Sequence, residues 1–152
     1  MDTKYKLALQ LIEHFEGFSS TAYFDELAHG RPLTIGFGRT YGVSLNDFTT
    51  RAYERQWVLQ HLYKINEIIN ETVWPYLDPW QMAALLDFVY NLGHNAFRRS
   101  TLVKRLNRRD PEAAEEILRW NKAGGVVLPG LVRRRKAEYN LFINKELKFY
   151  EH

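Results

Sequence analysis

Residues 33–42, "LTIGFGRTYG", constrain the fold of this chain more than any other stretch. A short β-prone run leads into Gly36, Gly38 and Gly42, and helical spacing is lost. The residues before it, "FSSTAYFDELAHGRP", are rich in Thr, Tyr, Phe and Gly and also read as strands and turns. No other region reads convincingly as β. Elsewhere the apolar periodicity is helical. Leu7, Leu11, Ile12 and Phe15 place an amphipathic helix over 3–16, stopped by Gly17. A long helix from about 47 to 72 follows "SLND", where Ser44 or Asn46 offers a cap, and ends near "WPYLDP". Asp78-Pro79 opens a helix that Gly93 closes, and Asp110-Pro111 repeats that signature. Ser100 opens a short helix between them, and "GLVRRRKAEYNLF" forms the last. The expected class is α+β, in one domain spanning 1–152. It comprises a β-hairpin lobe over about 17–45, a connecting helix within 46–74 and a helical lobe over 75–152.

The glycines raise the question of a phosphate loop. A dinucleotide fingerprint needs G-x-G-x-x-G opening a helix, whereas Gly36-x-Gly38-x-x-x-Gly42 runs into "VSLNDF", a cap. A P-loop needs Gly-Lys-Ser/Thr, and "GRT" lacks the lysine. The remaining readings are a bend or close backbone approach in a strand, and a hairpin edge that presents Thr34 to a substrate.

Composition narrows the class. Apolar residues make up 45% and charged residues 26%, as in globular proteins. Aromatics reach 14%, enough to fill a core and leave rings for stacking on a flat ligand such as a sugar or base. The chain has no cysteine, which excludes disulfides and thiolate chemistry. Lys4, Lys6, Gln10, Glu13 and His14 interrupt the apolar run at the N-terminus, where a signal peptide needs about seven to fifteen apolar residues. The expectation is synthesis in the cytoplasm without a targeting segment. Metal binding is not expected either, because His14, His29, His61, His94 and His152 show no H-x-x-x-H or H-E-x-x-H spacing.

Charge is divided along the chain. Up to residue 96, seven Lys and Arg face eleven acids; beyond it, fourteen face seven. A basic C-terminal half suits a polyanionic partner, either nucleic acid or a wall or envelope polymer, unless its helices merely present solvated faces.

Two carboxylates attract attention. Glu16 ends the first helix, at the negative end of its dipole and between Phe15 and Gly17-Phe18, surroundings expected to raise its pKa as a general acid requires. Asp25 follows in the hairpin region, and two carboxyls in different environments divide into acid and base roles in glycoside hydrolysis. The alternative is that Glu16 is an ordinary surface residue. Glu13 competes as the acid but is expected on the solvent side of its helix; Glu26 competes with Asp25 but points to the opposite strand face.

These residues carry a family resemblance. "EGFSSTAYFD" followed by "LTIGFGRT" resembles the Glu-Gly, Ala-Tyr-x-Asp and Thr-(Ile/Val)-Gly-x-Gly-His-Thr pattern of the phage-type lysozymes, the endolysin family that includes the T4 and P21 phage enzymes. "ALLDFVYNLGHNAFRRSTLVKRLN" and "RWNKAGGVVLPGLVRRRKAE" are similar to the family's later stretches, in the same order, so the resemblance covers almost the whole chain. It implies a lysozyme-like fold and hydrolysis of the β-1,4 bond between N-acetylmuramic acid and N-acetylglucosamine in peptidoglycan, leading to host cell lysis. It implies Glu16 as general acid, Asp25 as the group that activates or positions water or stabilises positive charge on the sugar, and Thr34 as holder of that water. It implies no cofactor, a monomer, and release to the wall after synthesis in the host cytoplasm by a phage holin. T4-type members invert the anomeric centre, but the stereochemical outcome stays open here. Two features depart from the pattern: Thr34 follows Asp25 across a longer tip, "ELAHGRPL", and Arg39 stands where His is usual.

Further candidates lie downstream. Asp87 and Asn91 stand one helical turn apart, on a face that either lines a cleft and binds sugar or packs and caps the helix. Trp120 reads as a core anchor before a stacking platform. Arg133, Arg134 and Arg135 pair in part with Glu138 or Glu116, leaving at least one, with Arg134 the chosen candidate, for carboxylates of the wall peptide. Two other functions remain in view: a lytic transglycosylase, which forms an anhydro sugar without water, and a non-enzymatic cationic binder of envelope or nucleic acid acting through "GLVRRRKAEYNLFINK". Asp25 and Thr34, as water-positioning groups, favour hydrolysis, and nucleic acid is not the expected partner.

Overall fold

A computed structural model describes residues 1–25 and 32–151. Residues 26–31 of the longer hairpin tip, Glu26 and His29 among them, and the terminal His152 lie outside the described residues. Helix α1 (Thr3–Glu16) ends at Gly17, whose φ of 67° turns the chain out of the helix. Strand β1 (Ser19–Phe24) then pairs antiparallel with β2 (Leu33–Gly36), placing Tyr23 opposite Thr34 and Phe24 opposite Leu33. The fold is α+β, as expected.

The long helix α2 (Arg51–Thr72) starts later than the sequence suggests, and Thr50 caps it instead of Ser44 or Asn46. The reason is competition for the backbone. Asp47 and Thr49 hydrogen-bond to Ala22 and Ser20 beside β1, and Phe48 bridges Thr21, so this segment is held extended. Ser44 and Asp47 instead close a local turn, with the Ser44 amide donating to Asp47 Oδ2.

Helix α3 (Pro79–Leu92) opens with a full capping box between Asp78 and Gln81, has Pro79 in its first turn, and ends at Gly93. Residues 82–89 of α3 are all buried, because the helix runs through the middle of the helical lobe against α1 and α6 (Pro129–Asn144). Leu11, Ile12, Leu62, Leu85, Leu86 and Leu141 have no exposed surface, each side chain contributing about 1.5–3 kcal/mol on burial. Between α3 and α6 lie α4 (His94–Arg98) and α5 (Thr101–Asn107), the latter capped by Ser100. Asp110-Pro111 does not open an α-helix. Asp110 accepts from the Glu112 amide and from Arg105, and the chain forms a 3₁₀ helix over Ala113–Arg119.

A second β element is absent from the sequence reading. β3 (Lys122–Ala123) and β4 (Val126–Val127) form a minimal hairpin around Gly124-Gly125, with φ of 59° and 79°. Two consecutive positive φ values suit the tight turns that join such strands, and only glycine adopts both without strain. Among the described residues, no helix is long and apolar enough to cross a membrane.

Candidate active site

The β lobe, α2, α3 and the β3–β4 hairpin enclose a cleft of about 660 Å³. Glu16, Asp25, Thr34 and Asn91 line it together, with Tyr23, Tyr41, Trp57, His61, Tyr90 and Lys122. Register explains the hairpin's share. Tyr23 and Thr34 are direct partners, and Asp25, two residues beyond Tyr23 with its amide bonded to the Pro32 carbonyl, continues the same face. Thr34 is almost fully buried, and its hydroxyl donates to the Pro32 carbonyl at 3.0 Å, leaving the oxygen lone pairs as acceptors.

Glu16 reaches the cleft from the end of α1, but its surroundings differ from the apolar ones expected. Arg134 Nη1 lies 2.7 Å from Glu16 Oε2. On its far side the same guanidinium grips Asp87 through Nε and Nη2 at 2.9 and 2.7 Å. Asp87 and Arg134, expected to touch substrate, therefore do not line the cleft. Asp87 sits on the buried helix α3 with no exposure and Arg134 has 3%, and a buried carboxylate of this kind needs a cation beside it. Burial raises the Asp87 carboxyl, but the Arg134 charge, hydrogen bonds from Glu138 and Arg134 and the Arg135 charge together hold it below the usual range. The pair acts on the site only through Glu16.

A second layer lies behind. Arg135 donates to Asn91 Oδ1 at 2.7 Å and pairs with Glu138, both side chains of the pair being fully buried. Burial pushes Glu138 well above the usual carboxyl range against the pull of Arg135, and the charge of Asp87 and a hydrogen bond to it add to the rise. Of the expected pairings, Arg135 with Glu138 holds. Glu116 is taken instead by Arg105 and Arg119.

Gly36 and Gly38 bring backbone against carboxylates. A Cβ on Gly36 would lie 2.4 Å from Glu54 Cγ, and one on Gly38 would lie 2.9 Å from Glu16 Oε1. Buried Glu54 is held by Arg39 in a two-pronged bond of 2.8 and 3.0 Å and by the Thr49 hydroxyl, and Arg39 Nη1 also donates to the Tyr41 carbonyl. Arg39, the departure from the family pattern, thus braces the hairpin base to α2 and fixes the turn that carries Tyr41. Glu13 is not a free solvent-side acid, since Arg55 of α2 binds it.

The cleft floor comes from residues that sequence reasoning passed over. Trp57 and His61 stack at 5.3 Å, one turn apart on α2, and burial holds the His61 imidazole below its usual pKa. The i, i+4 aromatic spacing was a usable signal. The Tyr90 hydroxyl donates to the Phe37 carbonyl at 2.8 Å, and burial, with the nearby Glu16 charge, keeps the phenol protonated far above neutrality. Trp120 packs on the core edge-on to Phe88, as expected of an anchor. Among the described residues, no group of three or more His, Cys, Asp or Glu is placed to hold a metal ion.

The chain as a whole is similar to known proteins. A family model for phage lysozyme matches residues 13–138. The endolysin of Acyrthosiphon pisum secondary endosymbiont phage 1 is 33% identical over 139 residues, covering 88% of this chain and 93% of the relative. The endolysin of Bacillus phage B103 is also 33% identical, over 92% of this chain, which spans 54% of that relative's length. Among solved structures, the muramidase domain of SpmX from Asticaccaulis excentricus superposes with a TM-score of 0.81 at 30% identity, covering 90% of this chain and 94% of the other.

Proposed function

The chain belongs to the phage lysozyme family of glycoside hydrolases, and on that premise we propose that its cleft hydrolyses the β-1,4 bond between N-acetylmuramic acid and N-acetylglucosamine in bacterial peptidoglycan. The observation that carries this reading is the convergence of Glu16, Asp25 and Thr34 on one cleft whose walls include the rings of Tyr23, Tyr41 and Trp57. Glu16, held by Arg134 and closed in by Gly38, protonates the glycosidic oxygen. Asp25 activates or positions the attacking water, or stabilises positive charge on the sugar. Thr34 gives its hydroxyl proton to Pro32, so its oxygen is free to accept from that water and orient it. Asn91, fixed by Arg135, offers its amide N–H groups to the sugar from the opposite wall.

Peptidoglycan is anionic, and the C-terminal half retains exposed cations at Arg98, Arg99, Lys104, Arg108, Lys122 and Lys136. They draw the protein toward the wall by charge. Helix α6 itself does not serve as a membrane-active peptide in this reading, because Arg134, Arg135, Leu141 and Phe142 are built into the interior. The protein acts as a monomer, in one domain, on the wall of its host after release.

Digestion of purified peptidoglycan, with mass spectrometry of the fragments, tests the proposal. Reducing muramic acid ends are expected. Anhydro-muramic ends would instead make it a lytic transglycosylase, and intact wall would leave a binder. Glu16→Gln should fold as the parent and lose at least about 100-fold in rate, the scale of general acid catalysis.

A further inference from the structure

The segment between α2 and α3 presents two large rings to solvent. Trp74 is 76% exposed and Tyr76 is 84% exposed, with Pro75 between them. This exposure does not come from a loose loop. Asn107 clamps the backbone from both sides, its Oδ1 accepting from the Trp74 amide at 2.8 Å and its Nδ2 donating to the Thr72 carbonyl at 3.0 Å. Val73 bonds back to Ile69, and the Asp78–Gln81 capping box fixes the other end. Rings mounted on a rigid backbone lose little entropy when something stacks on them.

Both rings line a single cavity of about 420 Å³ together with Lys4 and Asn70. None of its lining residues belongs to the catalytic cleft. Along α2, Val73 lies twelve residues beyond His61 of the cleft floor, about 18 Å at the helical rise.

We propose that Trp74 and Tyr76 form a second, non-catalytic binding site for a glycan strand of the same wall polymer. This rests on the reading that the cleft acts on peptidoglycan. The chemistry favours a sugar: apolar ring faces stand beside an amide and an ammonium, matching the C–H faces and hydroxyls of a pyranose. Two rings bury at most about 250 Å² each, well short of the roughly 800 Å² per partner that a stable dimer needs. A polymeric substrate that occupies both sites is held by linkage, and its apparent affinity exceeds that of the cleft alone.

Sedimentation with insoluble peptidoglycan tests the site, using Glu16→Gln so that the wall stays intact. Adding Trp74→Ala and Tyr76→Ala to that background should weaken retention about 100-fold. In the active parent the same two changes should leave Tm and cleavage of a short soluble muropeptide oligomer unaltered, since the rings are exposed and outside the cleft. Retention equal to Glu16→Gln alone overturns the proposal, as does an equal loss on the short oligomer. Loss of binding to phosphatidylglycerol vesicles with wall binding intact would assign the rings to lipid, and a concentration-dependent mass abolished by the changes would assign them to a second copy; either overturns it. Failure of the cleft reading is seen separately, as absence of cleavage products from the parent.

Discussion

Arg134 holds Glu16 at 2.7 Å on one side of its guanidinium and Asp87 at 2.7 and 2.9 Å on the other. The acid at the cleft is thereby anchored to the buried middle of α3, one turn before the residues of that helix that line the cleft. Sequence spacing put Asp87 on a helix face, but only the burial of that whole face decides that its partner is a cation and not a sugar.

This arrangement makes Asp87 a positioning residue. Asp87→Asn leaves Arg134 buried with half its neutralising charge gone and should cost about 3–5 kcal/mol in urea denaturation. Because Glu16 then loses its fixed partner, kcat should fall, by up to about 100-fold, with KM near the parent value. A variant destabilised as stated but with unchanged kcat would show that Arg134 does not set Glu16.

Gly38 and Gly93 separate backbone strain from contact with the acid. Both have φ near +90°, at 92° and 89°, so alanine at either should cost about 1–2 kcal/mol in stability. A Cβ at Gly93 meets nothing within 4 Å, whereas one at Gly38 meets Glu16 Oε1. Gly38→Ala must push that carboxyl oxygen aside and should therefore lose at least about tenfold in kcat, while Gly93→Ala keeps it. Equal rates for the two would remove the contact from the mechanism.

Much of this was legible from residue order alone. Gly17 ends α1 and leaves Glu16 at its tip, and the capping signals of Asp78 and Ser100 place their helices as read. Local backbone chemistry decides those features. What failed depends on distant partners: the Asp47–Thr49 segment is claimed by β1, which delays α2, and Asp110 is claimed by Arg105. The ring pair Trp57–His61 carried a readable i, i+4 spacing, but nothing local marks that face as cleft and not core. Arg39 was visible as a departure, and its reason is Glu54, fifteen residues away on another element.

Thr34 offers a test of water positioning that spares the charges. Thr34→Ser keeps the hydroxyl and its bond to Pro32; Thr34→Val keeps the shape and loses both. Valine removes one of the two donors to the Pro32 carbonyl, the Asp25 amide remaining, and should cost about 0.5–1.5 kcal/mol. Its hydrolytic rate should fall at least about 100-fold while serine stays within about tenfold. If valine retains the parent rate on peptidoglycan, another group orients the water.

The Asp87–Glu138 pair gives stability a pH dependence whose direction can be worked out. Burial, with the Asp87 charge and hydrogen bond, raises Glu138 well above its usual range, so its contribution is fully present below the unfolded value of about 4.3 and is lost as pH rises through the folded one. Asp87 runs the other way: held low by Arg134, it contributes above about 3.9 and loses that contribution as pH falls through its depressed value. From about pH 5 upward only Glu138 is still titrating within this pair, and ionising it places a second carboxylate beside Asp87 in the interior. Denaturant midpoints of the parent should therefore decline across that range. Glu138→Gln has no proton to lose, can still donate to Asp87, and should give a flatter profile that crosses above the parent on the alkaline side. Parallel profiles for the two proteins would mean that Glu138 is already ionised in the fold, paired with Arg135 and not with a shared proton.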